Sequence, residues 1–271
     1  MADRYWVGGG SSTNWNATGS TNWSATSGGS NNASVPTTAD NVIFNGVGAS
    51  ANGTSTISTA ITILSLTYTS GFTGAMVHTG TLSFTSNITL HNNYTISGTG
   101  ALNVLGASGT MTSNGRVWPN SLNLAGGATT VVKTLADNWS VNNLVANSTT
   151  TALNGSTIYT NQLSILSGNV TGTTNIIMVG TSWTGSATSI LNNNLTIESD
   201  VVLGVNVNYG TGTLTVNGTL DTTTNSNTLY LNNSPTLETT NVFWNNIIIT
   251  SANQTITLLS MLESMSLTYA A

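Results

Sequence analysis

"TLSFTSNITLHNNYTISGTGALNVLGASGTMTSNGRVWPNSLNL" (residues 81–124) repeats one short phrase three times. Leu82/Phe84, Leu102/Val104 and Leu122/Leu124 are apolar-x-apolar pairs with Ser or Asn between the members, spaced 20 residues apart. In an extended strand that alternation sends the apolar side chains to one face and the polar ones to the other. Gly, Asn and Ser fill the gaps, and these residues accept the backbone conformations of tight turns.

The phrase continues in both directions. It recurs at Leu66/Tyr68, Leu163/Ile165, Ile177/Val179, Leu195/Ile197, Leu214/Val216, Leu229/Leu231 and Ile247/Ile249, and "NLVAN" around Leu144 precedes Leu163. The steps lie mostly near 19 residues and range from 14 to 22. Proline, which breaks a hydrogen-bonded ladder, occurs only at Pro36, Pro119 and Pro235. Self-similarity at a fixed period is the mark of a repeat architecture, in which each unit buries its apolar face on its neighbours. The expected fold is therefore all-β: a β-solenoid, or parallel β-helix, with coils of about 20 residues and two or three short strands in each. A β-sandwich built from hairpins is the alternative, because it also yields many short strands at regular spacing.

The two ends read differently. Alternation is weak in residues 1–50 until "SVPTTADNVIFNG", where Val42, Ile43 and Phe44 mark the first committed strand. Tyr5, Trp6, Trp15 and Trp23 lie before it, the latter two in the near-copies "TNWNATGS" and "TNWSATSG". A solenoid needs its open end covered, and large rings cover much apolar area at low entropic cost. Residues 1–50 are thus expected to be an N-terminal cap or attachment region with those four aromatics as its working side chains. Residues 51–257 would be the repetitive solenoid and 258–271 an apolar C-terminal tail or cap. In that tail Leu258, Met261, Leu262 and Met265 have helical spacing. Ile256, Leu258, Met265, Leu267 and Tyr269 fit strands equally well.

Composition narrows the function. Charged residues are 4% of the chain, against roughly 25% in ordinary soluble domains. Ser, Thr, Asn and Gly make up more than half of it. Arg4, Arg116 and Lys133 are the only Lys and Arg, and the net charge is −5. Such a chain cannot build the positive footprint of a nucleic-acid binder or the polybasic patch that anionic membranes attract. No apolar run approaches the ~18–20 residues of a membrane span. Without Cys, disulfides and thiolate metal sites are excluded. The composition suits an extracellular protein, yet no secretory leader pattern opens the chain. A virion protein, assembled in the host cytoplasm and released by lysis, reconciles the two, and so would export by a dedicated secretion system that reads another signal.

Several stretches carry a resemblance: "RYWVGG…NW…WS…SGG…SVPTTADNVIFN", "LTYTSGFTGAM…TGTLSF", "TSNGRVWPNSLNLAGG" and "LADNWSVNNL". They are similar to a group of repetitive β-rich virion structural proteins encoded by tailed bacteriophages, most clearly at the opening and over residues 66–145. The resemblance implies a capsid decoration, fibre or appendage protein at the virion surface, with capsid or other virion structural proteins as partners and homo-oligomeric assembly. It brings no catalytic set. Similar stretches in bacterial surface proteins keep open a cell-surface adhesin or filament subunit.

The chemistry-bearing residues are sparse. His78 and His91 have no carboxylate nearby in sequence, whereas a zinc site needs three or four ligands. No catalytic, metal or cofactor site is expected, and the chain reads as a non-enzyme. The best candidate against that reading is Glu198 and Asp200 in "NLTIESD", with Asp221 about one coil later. Two carboxylates across a cleft cleave glycosidic bonds when they lie ~5–9.5 Å apart. Residues i and i+2 of a strand share a face at roughly 6–7 Å, so a polysaccharide-degrading tailspike is a second alternative. Exposed Trp and Tyr beside Asn and Thr would also suit binding of a host surface glycan.

Overall fold

A computed structural model describes residues 1–17, 19–222, 224–239, 247–250, 255, 257–258 and 267–269. Among the described residues every regular element is a strand, and successive coils stack in parallel into a β-solenoid. Each coil has three sides, so the strands form three ladders. The first ladder begins with Thr54–Ile57, Ala75–His78 and Thr95–Ser97. The same side continues at 117–118, 139–141, 158–160 and 176–178, parts of longer strands that bend round the corners. Leu195–Ile197, Thr213–Val216, Thr236–Thr239 and Thr257–Leu258 complete it.

The second ladder runs from Ile61–Ile63 through Leu82–Phe84 and Leu102–Val104 to 122–124, 144–146, 163–165 and 183–185. Among the described residues it continues through Val201–Leu203 to Leu220–Asp221. The third ladder carries Asp40–Phe44, Ser65–Tyr68, Ile88–Thr89, Thr110–Thr112 and 131–135. It then passes through 150–152 and 169–170 to Ile190–Leu191, Val207–Tyr209, Leu229–Leu231, Ile247–Ile249 and Leu267–Tyr269.

The inward positions are the apolar members of the phrase. Leu82, Phe84, Leu102, Val104, Leu122 and Leu124 are all buried, and each sits directly on its equivalent one coil away. The phrase does not stay on one side of the solenoid. It lies on the third ladder at Leu66/Tyr68 and on the second from Leu82 to Leu163. It then moves to the first at Leu195 and Leu214 and returns to the third at Leu229. All three sides need inward apolar pairs, so the phrase marks an inward strand and not a particular side. One pair is out of phase. Ile176 and Met178 are the buried residues, while Ile177 faces outward and Val179 is 46% exposed at a corner. In the apolar run "IIMV" the alternation alone does not fix which set faces in.

On the outer faces, like stacks on like. Asn123 donates to Asn103 at 2.8 Å, Asn161 to Asn142 at 3.1 Å and Asn194 to Asn175 at 3.1 Å. At corners the backbones approach closely enough to require glycine. Gly46 has φ +72°, and a Cβ there would lie 1.9 Å from the carbonyl oxygen of Gly71.

The solenoid begins earlier than the sequence pattern indicates. Ala2–Trp6 pairs in parallel with Asp40–Phe44, so it is already a rung of the third ladder. Trp23–Ser24 then pairs antiparallel with its other edge, Trp6 opposite Trp23. Ile256 and the Met261–Met265 stretch fall outside the described residues, but Leu258 and Leu267–Tyr269 are strand rungs.

Candidate functional sites

The opening aromatics are assembled by Asn22. Its buried side chain donates to the carbonyl oxygens of Ser12 and Asn14, both at 2.8 Å, and accepts from the Gly10 amide at 2.9 Å. Its own carbonyl oxygen accepts from the amides of Val7 and Gly8. One residue thereby ties the two near-copies together. Trp15 donates from Nε1 to Ser55 Oγ at 2.6 Å and Trp23 to the Trp15 carbonyl at 2.7 Å. The Trp15 amide also bonds the Thr56 carbonyl, which lays this loop over the first strand of the first ladder. Trp6, Trp15 and Trp23 are all buried within the chain's own core, around Phe44. Tyr5 points the other way and is half-buried, 3.5 Å from the Asp3 carboxylate.

From that cluster a stack of rings runs along the inside of the solenoid. Phe44 lies on Tyr68 (centroids 4.5 Å apart) and Tyr68 on Tyr94 (4.2 Å). The Arg116 guanidinium closes the stack, 4.3 Å from the centre of the Tyr94 ring. Burial pushes the Tyr94 hydroxyl well above its ordinary range, with the Arg116 charge opposing the shift. Lys133 is buried: its ammonium donates to the carbonyl oxygens of Ser86 (3.0 Å) and Ser108 (2.6 Å), and burial lowers its pKa to about 8. One of the chain's three Lys and Arg is thus buried and a second half-buried against the ring stack, a placement that sequence alternation did not reveal.

The candidate acids lie at exposed or half-buried turns. Glu198 accepts from Asn217 Nδ2 at 3.1 Å and Asp200 from the Thr219 amide at 3.2 Å. Asp221 accepts from the Thr224 amide at 3.1 Å and from its hydroxyl. The ladder places Asp221 beside Val202, two positions beyond Asp200, and so offset from the other two acids. Each carboxylate ties down a turn. His78 is fully buried inside the first ladder and His91 sits apart at a corner. Among the described residues no group of three or more His, Asp or Glu could hold a metal ion, and no helix is long and apolar enough to cross a membrane.

A groove that the sequence pattern did not single out lies outside the corner between the first and second ladders. Its volume is about 390 Å³, and it is lined by Val117, Pro119, Ser140, Asn142, Tyr159, Asn161 and Val179, with the backs of Trp118 and Val141 behind them. The signal that marks it in sequence is the out-of-phase "IIMVG", which forces an apolar side chain outward. No protein-family model, curated protein or solved structure matches the chain.

Proposed function

We propose that the chain is a non-enzymatic structural module of a bacteriophage virion, a decoration, fibre or appendage subunit that attaches to the particle and presents a rigid, neutral polar surface. The observation that carries the reading is the continuous three-sided stack. From Asp40 onward each coil is hydrogen-bonded to the next, and the inward column is filled by large apolar side chains. Saturated backbone pairing along a ladder resists bending and leaves few opened segments for proteases. The sequence resemblance supplies the virion setting, since a fold alone does not specify a function.

In this reading the three buried tryptophans close the end of the chain's own core. Attachment to capsid or other virion proteins then falls to the polar outer surface of the loop over residues 7–39. Homo-oligomerisation follows from the symmetry of the platform. The test is imaging of purified particles labelled with an antibody to this chain. Regular, symmetry-related labelling is expected; recovery solely as free protein or on the bacterial envelope overturns the virion assignment. Incubation with host polysaccharide is expected to release no oligosaccharide. Release that disappears in Glu198→Gln with Asp200→Asn would overturn the non-enzymatic part.

A further inference from the structure

The strand register explains why the groove exists. Trp118, Val141, Thr160 and Met178 are successive equivalents on the first ladder, and Ser121, Asn143, Gln162 and Ser182 on the second. Between those rungs the chain spends two residues in the first of these coils (Pro119 and Asn120), one in the next (Asn142), one in the third (Asn161) and three in the fourth (Val179 to Thr181). Two tight corners therefore sit between two wide ones. Rungs are ~4.8 Å apart, so the two walls stand roughly 14 Å apart, centre to centre.

The walls are apolar: Val117 is 58% exposed and Val179 46% exposed, with Pro119 beside Val117. The floor is polar and neutral. Tyr159 faces outward between its register partners Ser140 and Ile177. Asn161 Nδ2 donates to Asn142 Oδ1 at 3.1 Å, which fixes both amides. Their other ends, the Asn161 carbonyl oxygen and the Asn142 NH₂ group, form an acceptor–donor pair one rung apart.

We propose that this groove binds a neutral saccharide. A pyranose ring has an apolar C–H face that packs on an aromatic or aliphatic wall, and hydroxyls that both donate and accept. Tyr159 with Val117 and Val179 supplies the first kind of surface, and the Asn142–Asn161 pair with Ser140 the second. The volume lies in the ~300–1,000 Å³ range of small-molecule sites and suits a short stretch of glycan. The lining has no ammonium or guanidinium to receive a phosphate, sulfate or nucleic acid, and no carboxylate to receive a cation. An extended peptide has no free sheet edge here, because the floor strands pair with each other across the groove.

The test is a glycan array carrying neutral fragments (glucan, mannan, galactan, chitin) beside sulfated and uronate-bearing ones, followed by calorimetric titration of the full chain with the best-bound oligosaccharide. Saturable binding to a neutral fragment is expected. Tyr159→Ala should weaken it by about tenfold or more, since one packed aromatic face is lost. Ser140→Trp fills the floor and should abolish binding, while Tyr230→Ala, an outward tyrosine on the third ladder, should leave it unchanged. Both groove substitutions are outward-facing, and circular dichroism checks that they fold. If Tyr159→Ala folds poorly, Ser140→Trp decides alone. No neutral binding, binding of charged fragments only, or binding that survives Ser140→Trp overturns the proposal.

Discussion

His78 and Trp118 meet edge-on inside the first ladder, ring centroids 5.2 Å apart, and neither the two imidazole nitrogens nor the indole Nε1 has a hydrogen-bond partner. Burial lowers the His78 pKa to about 4. The unfolded chain takes up a proton near 6.5, the folded chain only near 4, so below pH 6.5 the unfolded state binds more protons. Stability is fully present above about pH 6.5 and falls between there and pH 4, by about 3 kcal/mol in all. Denaturant titrations of the wild type and His78→Phe check it: the fall should be absent in the variant. Equal acid profiles would mean that His78 is protonated in the fold.

Lys133 acts in the opposite range. Its folded pKa is about 8 and its unfolded one ~10.4, so the unfolded state binds more protons between them. Stability should rise over that window. The buried hydroxyls of Tyr68, Tyr94 and Tyr209, all raised by burial, turn the curve down again beyond pH 10. Melting temperature against pH should therefore peak in the alkaline range, and Lys133→Met should lose the rise but keep the fall.

Phe44 touches the rings of Trp6, Trp15, Trp23, Tyr68 and Phe72, with centroids 4.5 to 5.9 Å away. Phe44→Ala opens a cavity that so many rigid rings cannot close, at a cost of about 3–5 kcal/mol. Tryptophan emission should shift to the red as water reaches the three indoles. A loss under 1 kcal/mol would show that the cluster can collapse.

Two glycines separate backbone strain from crowding. Gly46 and Gly115 share nearly the same φ, +72° and +75°. A Cβ at Gly46 meets the Gly71 carbonyl oxygen at 1.9 Å, whereas at Gly115 the nearest heavy atom is 3.9 Å away. Gly115→Ala should cost only the left-handed penalty of about 1–2 kcal/mol. Gly46→Ala adds displacement of a neighbouring corner and should cost clearly more or prevent folding. Thermal unfolding of the pair gives the difference directly.

The fold was legible because Leu82, Leu102 and Leu122 repeat both their spacing and their alternation. What alternation cannot show is which ladder a phrase joins, so the passage of the pattern round all three sides emerged only from the register. "IIMV" was ambiguous for the same reason, and that ambiguity hid the groove beside Val179. The opening strand was missed because Ala2–Trp6 alternates Asp3 and Tyr5 with Ala2, Arg4 and Trp6, a set without an aliphatic pair. Nothing in the sequence pattern places Arg116 or Lys133. Lys133 is buried because two stacked corners offer it their carbonyl oxygens, and Arg116 is half-buried because Tyr94 offers it a ring face.

The in-register stacking of one coil on the next makes length a free variable in this protein. Thr160 lies directly on Val141, one coil below. Excision of residues 142–160 would join Val141 to Asn161 in the phase that Asn142 held, and would set Leu163 on Leu122. Such a shortened chain keeps its cross-section, its cap and its polar exterior. Gain or loss of whole coils can thus tune how far the module reaches without redesign of either end.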